Sequence, residues 1–598
     1  MPPSGRPRCA GSIAVATFAA ALLLVGCRAG GEQAAFAGDE PGTVLAQADD
    51  ELVDLATTPS RELPEEITPS GAYLAAQAAF MARDMSAAAD YLLVALAADP
   101  DNKDVLRQAH FALVSSGRVA EAMPLARKLL VGEPAEQLSP LTLAVDGLDR
   151  GDFDAAQEAL DRLPLTGYGL ALVPLFEAWL EVGRGNFDDA VAIIGPYDLG
   201  DGFDAFRAYH VALIEALAGD RAAAEAAFRV AMTAQDGGSY RVVLAYGAFL
   251  EAHGQAAEAR EVYEAFLAAN PSSLWLEEAL ARLETPSPAA APVETPRAGV
   301  AEALFAIAGA AQQGGSPETA LAYAQLAAYL VPDSDVVHLL IGDILEIEGL
   351  HDEAIAAYRR VSPKSPLYWT AQLRIAINLD DNGAGDQAIA LLRQMSDERP
   401  ERSDALVVLG DILRVNERWQ EAVEAYDRAY QLEGAAAAGD WKLHYVRGIA
   451  LERAGEWERA EADLLHALEL QPDHPFVLNY LGYTWVDMGI RLDEALAMIE
   501  SAVAQRPTDG FIVDSLGWAY YRLGRYAEAA EQLERAVEYE PTDPVINDHL
   551  GDAYWRVGRH TEARVQWRRA MSLAGDDAEL IKAIEAKMQS GLAEGDDG

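Results

Sequence analysis

The residues closest to forming a reactive set in this chain are Asp548, His549 and Asp552. Asp548 and Asp552 stand one turn apart on a helix, a spacing at which two carboxylates come to share a divalent cation. His549 directly precedes Leu550-Gly551, however, so its side chain leaves the helix on another face and the three do not converge on a metal. The 10 histidines are scattered, and with 95 acidic residues close carboxylate pairs arise by chance. No G-x-x-x-x-G-K-[ST] loop is present to cradle phosphates, no H-E-x-x-H to hold a catalytic zinc, and no C-x-x-C pair. The expectation is therefore a protein without a catalytic centre, a metal, a cofactor or a small-molecule substrate. One residue is placed for covalent chemistry: Cys27, at the end of an apolar run from Ile13 to Val25 that follows Arg6 and Arg8.

The remaining chemistry is recognition, and a repeat positions it. Gly117, Gly151, Gly185, Gly219, Gly254, Gly315, Gly349, Gly383, Gly455, Gly489, Gly524 and Gly558 fall at one phase of a unit of about 34 residues. Each follows a run of helical period, where a residue that turns left-handed to end a helix is most often glycine. Five residues on comes alanine, as in Ala122, Ala224, Ala354 and Ala529, with Ala495 displaced by one inserted residue. Two more units keep their alanine, Ala88 and Ala422, while Arg83 and Glu417 replace the glycine, which makes fourteen units in all. Seven residues before the corner is a second small position, held by Gly247, Gly342, Gly410, Gly448, Gly482, Gly517 and Gly551. Four after the alanine comes a bulky residue such as Leu92, Phe228, Tyr263, Tyr358, Tyr426, Leu533 or Trp567. Prolines such as Pro472, Pro507 and Pro541 close the units because they cannot extend the preceding helix. This periodicity predicts stacked helical hairpins, none of which buries its apolar face alone.

Leu-Gly, aromatic, Gly, Ala, aromatic, Ala and Pro at this spacing resemble the tetratricopeptide repeat family over residues 69 to about 574. The resemblance implies an all-α, right-handed superhelix whose first helices line a concave groove. In the family, first-helix residues three before and one, four and five after the small glycine face that groove. Carried over, they are Asn479, Tyr483, Val486 and Asp487, then Asp514, Trp518, Tyr521 and Arg522, then Asp548, Asp552, Trp555 and Arg556. The preceding unit adds Tyr445, Glu452 and Arg453, with Lys442 farther up the same helix. Of the tryptophans sorted this way, Trp485 and Trp567 fall in the core, and Trp518 and Trp555 alone on the groove. Large rings beside Arg and Asp are the material of binding hot spots. The alternative is that these rings pack against their neighbours or a C-terminal cap. The Lys/Asn/Arg clamp by which some family members hold chaperone carboxylates is not carried over, because acids and tyrosines occupy the comparable positions.

Between Leu283 and Gly299 the period breaks at a Pro/Ala-rich stretch that reads as an extended spacer. The expected organisation is a signal peptide over 1–26, a lipidated cysteine and acidic tether over 27–68, and an arm of about six repeats over 69–283. A spacer over 284–299 follows, then an arm of about eight repeats over 300–574 and a capping helix with an acidic tail over 575–598. Within the tether, acidic residues outnumber basic ones by ten to two between Arg28 and Ser70, and no helical period is seen. A helical cap around Leu45 to Leu55 is the alternative there.

Leu24-Val25-Gly26-Cys27 resembles the bacterial lipobox, which implies cleavage after Gly26 and lipid on Cys27. Arg28 rather than Asp follows the cysteine, and resemblance to enteric lipoprotein sorting implies an outer-membrane lipoprotein facing the periplasm. A net charge of −49 argues against nucleic acid or anionic lipid surfaces as partners and favours basic ones. The alternative is that the acidic surface merely keeps an alanine-rich solenoid soluble. The stretches Leu478 to Asp487, Ile512 to Gly524 and Asn547 to Trp555 resemble proteobacterial tetratricopeptide lipoproteins. Some of these are adaptors that bring peptidoglycan hydrolases to a periplasmic C-terminal-processing protease. The expectation is a non-enzymatic scaffold for envelope proteins, held to the membrane through Cys27 only. The alternative is a structural part of a polysaccharide-export or outer-membrane assembly complex. Replacing Cys27 by serine is expected to move the protein from the membrane fraction to the soluble periplasmic fraction. Continued membrane sedimentation at high salt would contradict the lipid anchor.

Overall fold

A computed structural model describes residues 67–130, 137–195, 201–233, 239–270, 276–284, 293–434, 437–575 and 577–592. Cys27, the expected signal, all but the end of the tether, most of the Pro/Ala-rich stretch and the last residues of the tail lie outside the described residues. The regular elements of the described residues are helical. Thirty α-helices run from α1 (Pro69–Met81) to α30 (Ala578–Ser590), with a 3-10 turn at Ala437–Gly439.

Successive helices pair as hairpins, and the corner residues show why the repeat keeps its phase. All twelve corner glycines have positive φ, from 69° at Gly489 to 84° at Gly185 and Gly219. Arg83 and Glu417 adopt the same left-handed turn, both at 59°, so the two missing glycines leave the hairpins intact. The alanines five residues after each corner have no exposed surface, from Ala88 through Ala495 to Ala563. At the second small position the neighbour is the bulky residue of the same hairpin. A Cβ on Gly342 would lie 2.4 Å from the Tyr358 ring, on Gly410 2.5 Å from Tyr426, and on Gly551 2.4 Å from Trp567. Each glycine is therefore half of a small–large pair that lets two helix backbones approach.

Helix starts follow the capping chemistry. Asp543 accepts hydrogen bonds from the amides of Val545 and Ile546 ahead of Pro544, and Asp509 accepts from Ile512.

The described residues fall into two compact units that divide between Gly383 and Ala384. The boundary expected over 284–299 is not where they part. Thr295 caps α14 (Pro296–Gln313), its hydroxyl accepting from the Ala298 amide at 3.2 Å. With α15 (Pro317–Leu330), this helix turns back onto α3 (Lys103–Ser115), α5 (Leu138–Asp149) and α7 (Gly169–Arg184), the first helices of the second to fourth hairpins. Small residues permit it: a Cβ on Gly299 would lie 2.2 Å from the indole of Trp179. Arg241 grips Glu302 of α14 through two nitrogens at 2.9 and 2.5 Å, and the Tyr209 hydroxyl donates to the same carboxylate at 3.2 Å. Arg297 reaches Asp149 at 2.5 Å. Burial of this set holds the His210 imidazole, which accepts from the Trp179 indole at 3.0 Å, neutral, with its pKa lowered to about 4.

Opposite signs are expected from two substitutions near one corner. Gly410→Ala forces a methyl into the Tyr426 ring and should destabilise its hairpin by about 1–3 kcal/mol. Glu417→Gly relieves a left-handed non-glycine residue and should stabilise by about 1 kcal/mol. Hydrogen exchange of the hairpin amides reads both, and equal signs would contradict the assignment.

Candidate functional site

The expected groove residues lie on four first helices of the second unit: α22 (Trp441–Arg453), α24 (Pro475–Met488), α26 (Gly510–Arg522) and α28 (Pro544–Arg556). α24 packs on α26 and α26 on α28. The structure sorts these residues into three groups by what covers them.

The first group remains accessible. Lys442 is exposed, and Tyr445, Asn479, Asp487 and Arg522 are half-buried. The Tyr445 ring meets Tyr480 of α24 edge-on at 6.2 Å, and Arg522 donates to the Asp487 carbonyl at 3.1 Å, so α22, α24 and α26 are joined along this strip. The Asn479 side-chain oxygen is enclosed and accepts no hydrogen bond. Glu452 accepts from the Tyr480 hydroxyl at 2.9 Å, and Arg453 covers the face of Trp419.

The second group is a buried stack. The Asp514 carboxylate meets Nδ1 of His549 at 3.0 and 3.1 Å, a contact between α26 and α28. Trp518 lies flat against that imidazole, with centroids 4.2 Å apart, and stacks on Tyr521 at 4.9 Å. Arg556 donates to the Tyr521 hydroxyl at 3.2 Å. Burial works against the charged imidazole, but Asp514 outweighs it and holds the His549 pKa above its ordinary value. Burial also pushes the Tyr521 hydroxyl up to about 12.

Trp518 is only 6% exposed and Tyr521 2%, and Asp514, Asp548, Asp552 and Tyr483 are buried with them. The expectation of an open groove at these positions is corrected accordingly. Pairing across adjacent first helices closes it, as the alternative of neighbour packing describes.

The third group is covered by α30. The ammonium of Lys587 sits 2.7 Å from Asp548 and 2.7 Å from Asp552. Asp552 also accepts from the Trp567 indole at 2.8 Å. Burial lifts the Asp552 carboxyl above its ordinary range, against the pull of Lys587. Burial likewise opposes charge on Lys587, but the two aspartates outweigh it and raise its pKa. Half-buried Trp555 stacks on His560 at 4.2 Å and Trp567 at 5.3 Å, with Arg564 over its ring. Gly591, just past α30, closes on the same indole so tightly that a Cβ there would overlap it.

Among the described residues no group of three or more His, Cys, Asp or Glu side chains is placed to hold a metal ion, and no helix is long and apolar enough to cross a membrane.

Two features went unread in the sequence. Trp179 stands one residue after small Ala178, as Trp518 stands after Gly517, so the same ruler puts a third tryptophan at a groove position, where α14 covers it. An aspartate after the small glycine also recurs with a ring fifteen residues on, and the ring's polar tip bonds back: Tyr358 to Asp343, Tyr426 to Asp411 and Trp567 to Asp552. That pattern marked Asp552 as an internal acceptor.

Family models described as tetratricopeptide repeat match residues 240–283, 373–440 and 445–510, and one described as TPR repeat matches 517–558. These segments are the hairpins whose geometry is given above. The protein is 30% identical over 196 residues to the TPR repeat-containing protein PA4667 of Pseudomonas aeruginosa, a match that spans 33% of its own length and 32% of that relative. Among solved structures, the APC/C hetero-tetramer Cut9–Hcn1 aligns over 92% of this protein and 99% of its own length, at 15% identity and a TM-score of 0.38. YrrB, a TPR protein with an unusual peptide-binding site, aligns over 32% and 97% at 18% identity and a TM-score of 0.25.

The stack makes a pH response readable. The His549–Asp514 pair has a raised histidine pKa, so its stabilisation is fully present below the ordinary value of 6.5 and is lost as pH rises through the folded pKa. A protonated imidazole quenches the indole it stacks on. The fluorescence of Trp518, taken as the difference from Trp518→Phe, is expected to rise with a midpoint above pH 6.5, and Asp514→Asn should lower that midpoint. A midpoint below 6.5 in the unmodified protein would contradict the pairing.

Proposed function

We propose that this protein is a non-enzymatic scaffold of the bacterial cell envelope, anchored by lipid on Cys27, that holds partner proteins on the accessible strip of its second unit. Tetratricopeptide repeats generally mediate protein–protein interaction. The observation that carries the reading is the strip itself: Lys442, Tyr445, Asn479, Asp487 and Arg522 remain reachable on three successive first helices, while the rings and carboxylates beyond them are engaged internally.

The resemblance of the C-terminal repeats to adaptor lipoproteins supports a specific pair of partners: a periplasmic C-terminal-processing protease and the peptidoglycan hydrolases it degrades. Holding both on one solenoid raises their effective concentration without chemistry by the scaffold.

The test is binding of the purified protein, without its lipid, to such a protease. Asn479→Ala with Arg522→Ala is expected to weaken capture at least about ten-fold while the helical circular dichroism stays unchanged. Unchanged capture by the double variant would remove the strip from the interface, and no capture by the unmodified protein would remove the protease.

A further inference from the structure

The last helix is attached unlike any other in the second unit. α30 buries a single side chain, Ile584, whereas α28 beneath it buries nine residues. An element with so little buried surface opens at low free-energy cost. Yet its last turn reaches into three positions that the repeat assigns to ligand. Lys587 lies between Asp548 and Asp552, and Gly591 closes on Trp555, with Met588 and Leu592 packed into the same apolar cluster.

The seat is also incompletely filled. One Asp548 carboxylate oxygen is buried, on a residue 6% exposed, and has no hydrogen-bond partner. An acceptor left unmet in the interior costs free energy that a fitting ligand recovers. A hydrogen-bond donor on an incoming segment is the chemistry that meets it.

We infer that the end of the groove on α28 is a seat for a lysine-bearing apolar segment, that α30 occupies it at rest as an internal stand-in, and that a partner segment of the same chemistry exchanges with α30. The inference rests on the groove reading above and deepens it by naming what the groove end recognises. A cation between two buried carboxylates, an aromatic face for an apolar neighbour, and an acidic protein of net charge −49 all select a basic, amphipathic partner segment.

The probe is a fluorescent peptide of residues 578–592, added to the full-length protein. The unmodified protein, whose seat is taken, should bind it weakly. Lys587→Glu, which expels α30, should bind it at least about ten-fold more tightly, and Ile584→Ser should do the same without adding charge beside the aspartates. Asp548→Asn with Asp552→Asn in the Lys587→Glu background should abolish the gain, and Lys587→Arg should behave like the unmodified protein. If hydrogen exchange shows α30 released in either variant and the peptide still gains nothing, the seat is not exchangeable and the inference falls. Protease capture separates this failure from that of the groove. Loss with Asn479→Ala and Arg522→Ala alongside no peptide gain leaves the groove standing without the exchange, whereas capture indifferent to every variant removes the groove as well.

Discussion

The structure depends on how closely two helix backbones approach within each hairpin. Where they meet, one helix has no side chain and the other presents a bulky one, so that the Gly551 backbone lies against the Trp567 indole and Gly410 against Tyr426. The tight corner, with its left-handed residue, brings the two into register. The fully buried alanine five residues later keeps them there. A repeat built this way fixes which side chains face inward long before it meets a neighbour, and stacking then adds one nearest-neighbour interface at a time.

That constraint reaches the functional surface through the residue beside the glycine. Asp343, Asp411 and Asp552 lie one position after their glycines, and each accepts from the polar tip of the ring that fills the gap. A position that family geometry gives to a ligand is thereby committed to the core. The same economy recurs on a larger scale. The groove positions at Trp179, Asp149 and Tyr209 in the first unit are taken by α14, and those at Asp548, Asp552 and Trp555 in the second by α30. What stays reachable is a shorter strip than the repeat count suggests.

The fold was legible because its determinants are local. Glycine and alanine recur at fixed offsets within one hairpin, and Arg83 and Glu417 still turn as the corner glycines do. The return of α14 onto α7 was not legible, since it rests on contacts such as Gly299 with Trp179, far apart in sequence, that no period announces. Proline content at 285–292 pointed to a spacer, but the helix that follows turns back onto the hairpins already formed. The burial of Trp518 was missed for a like reason. Its cover is the His549 imidazole, held by an aspartate thirty-five residues away in sequence.

The central claim is that the protein fills much of its own groove. Hydrogen–deuterium exchange of the full-length molecule measures it directly. The amides of α14 and α15 are expected to be protected as strongly as those of α3, α5 and α7, while those of α30 exchange faster than those of α28. Rapid exchange throughout 296–330, with the neighbouring hairpins protected, would mean that the first groove stands open and would contradict the claim.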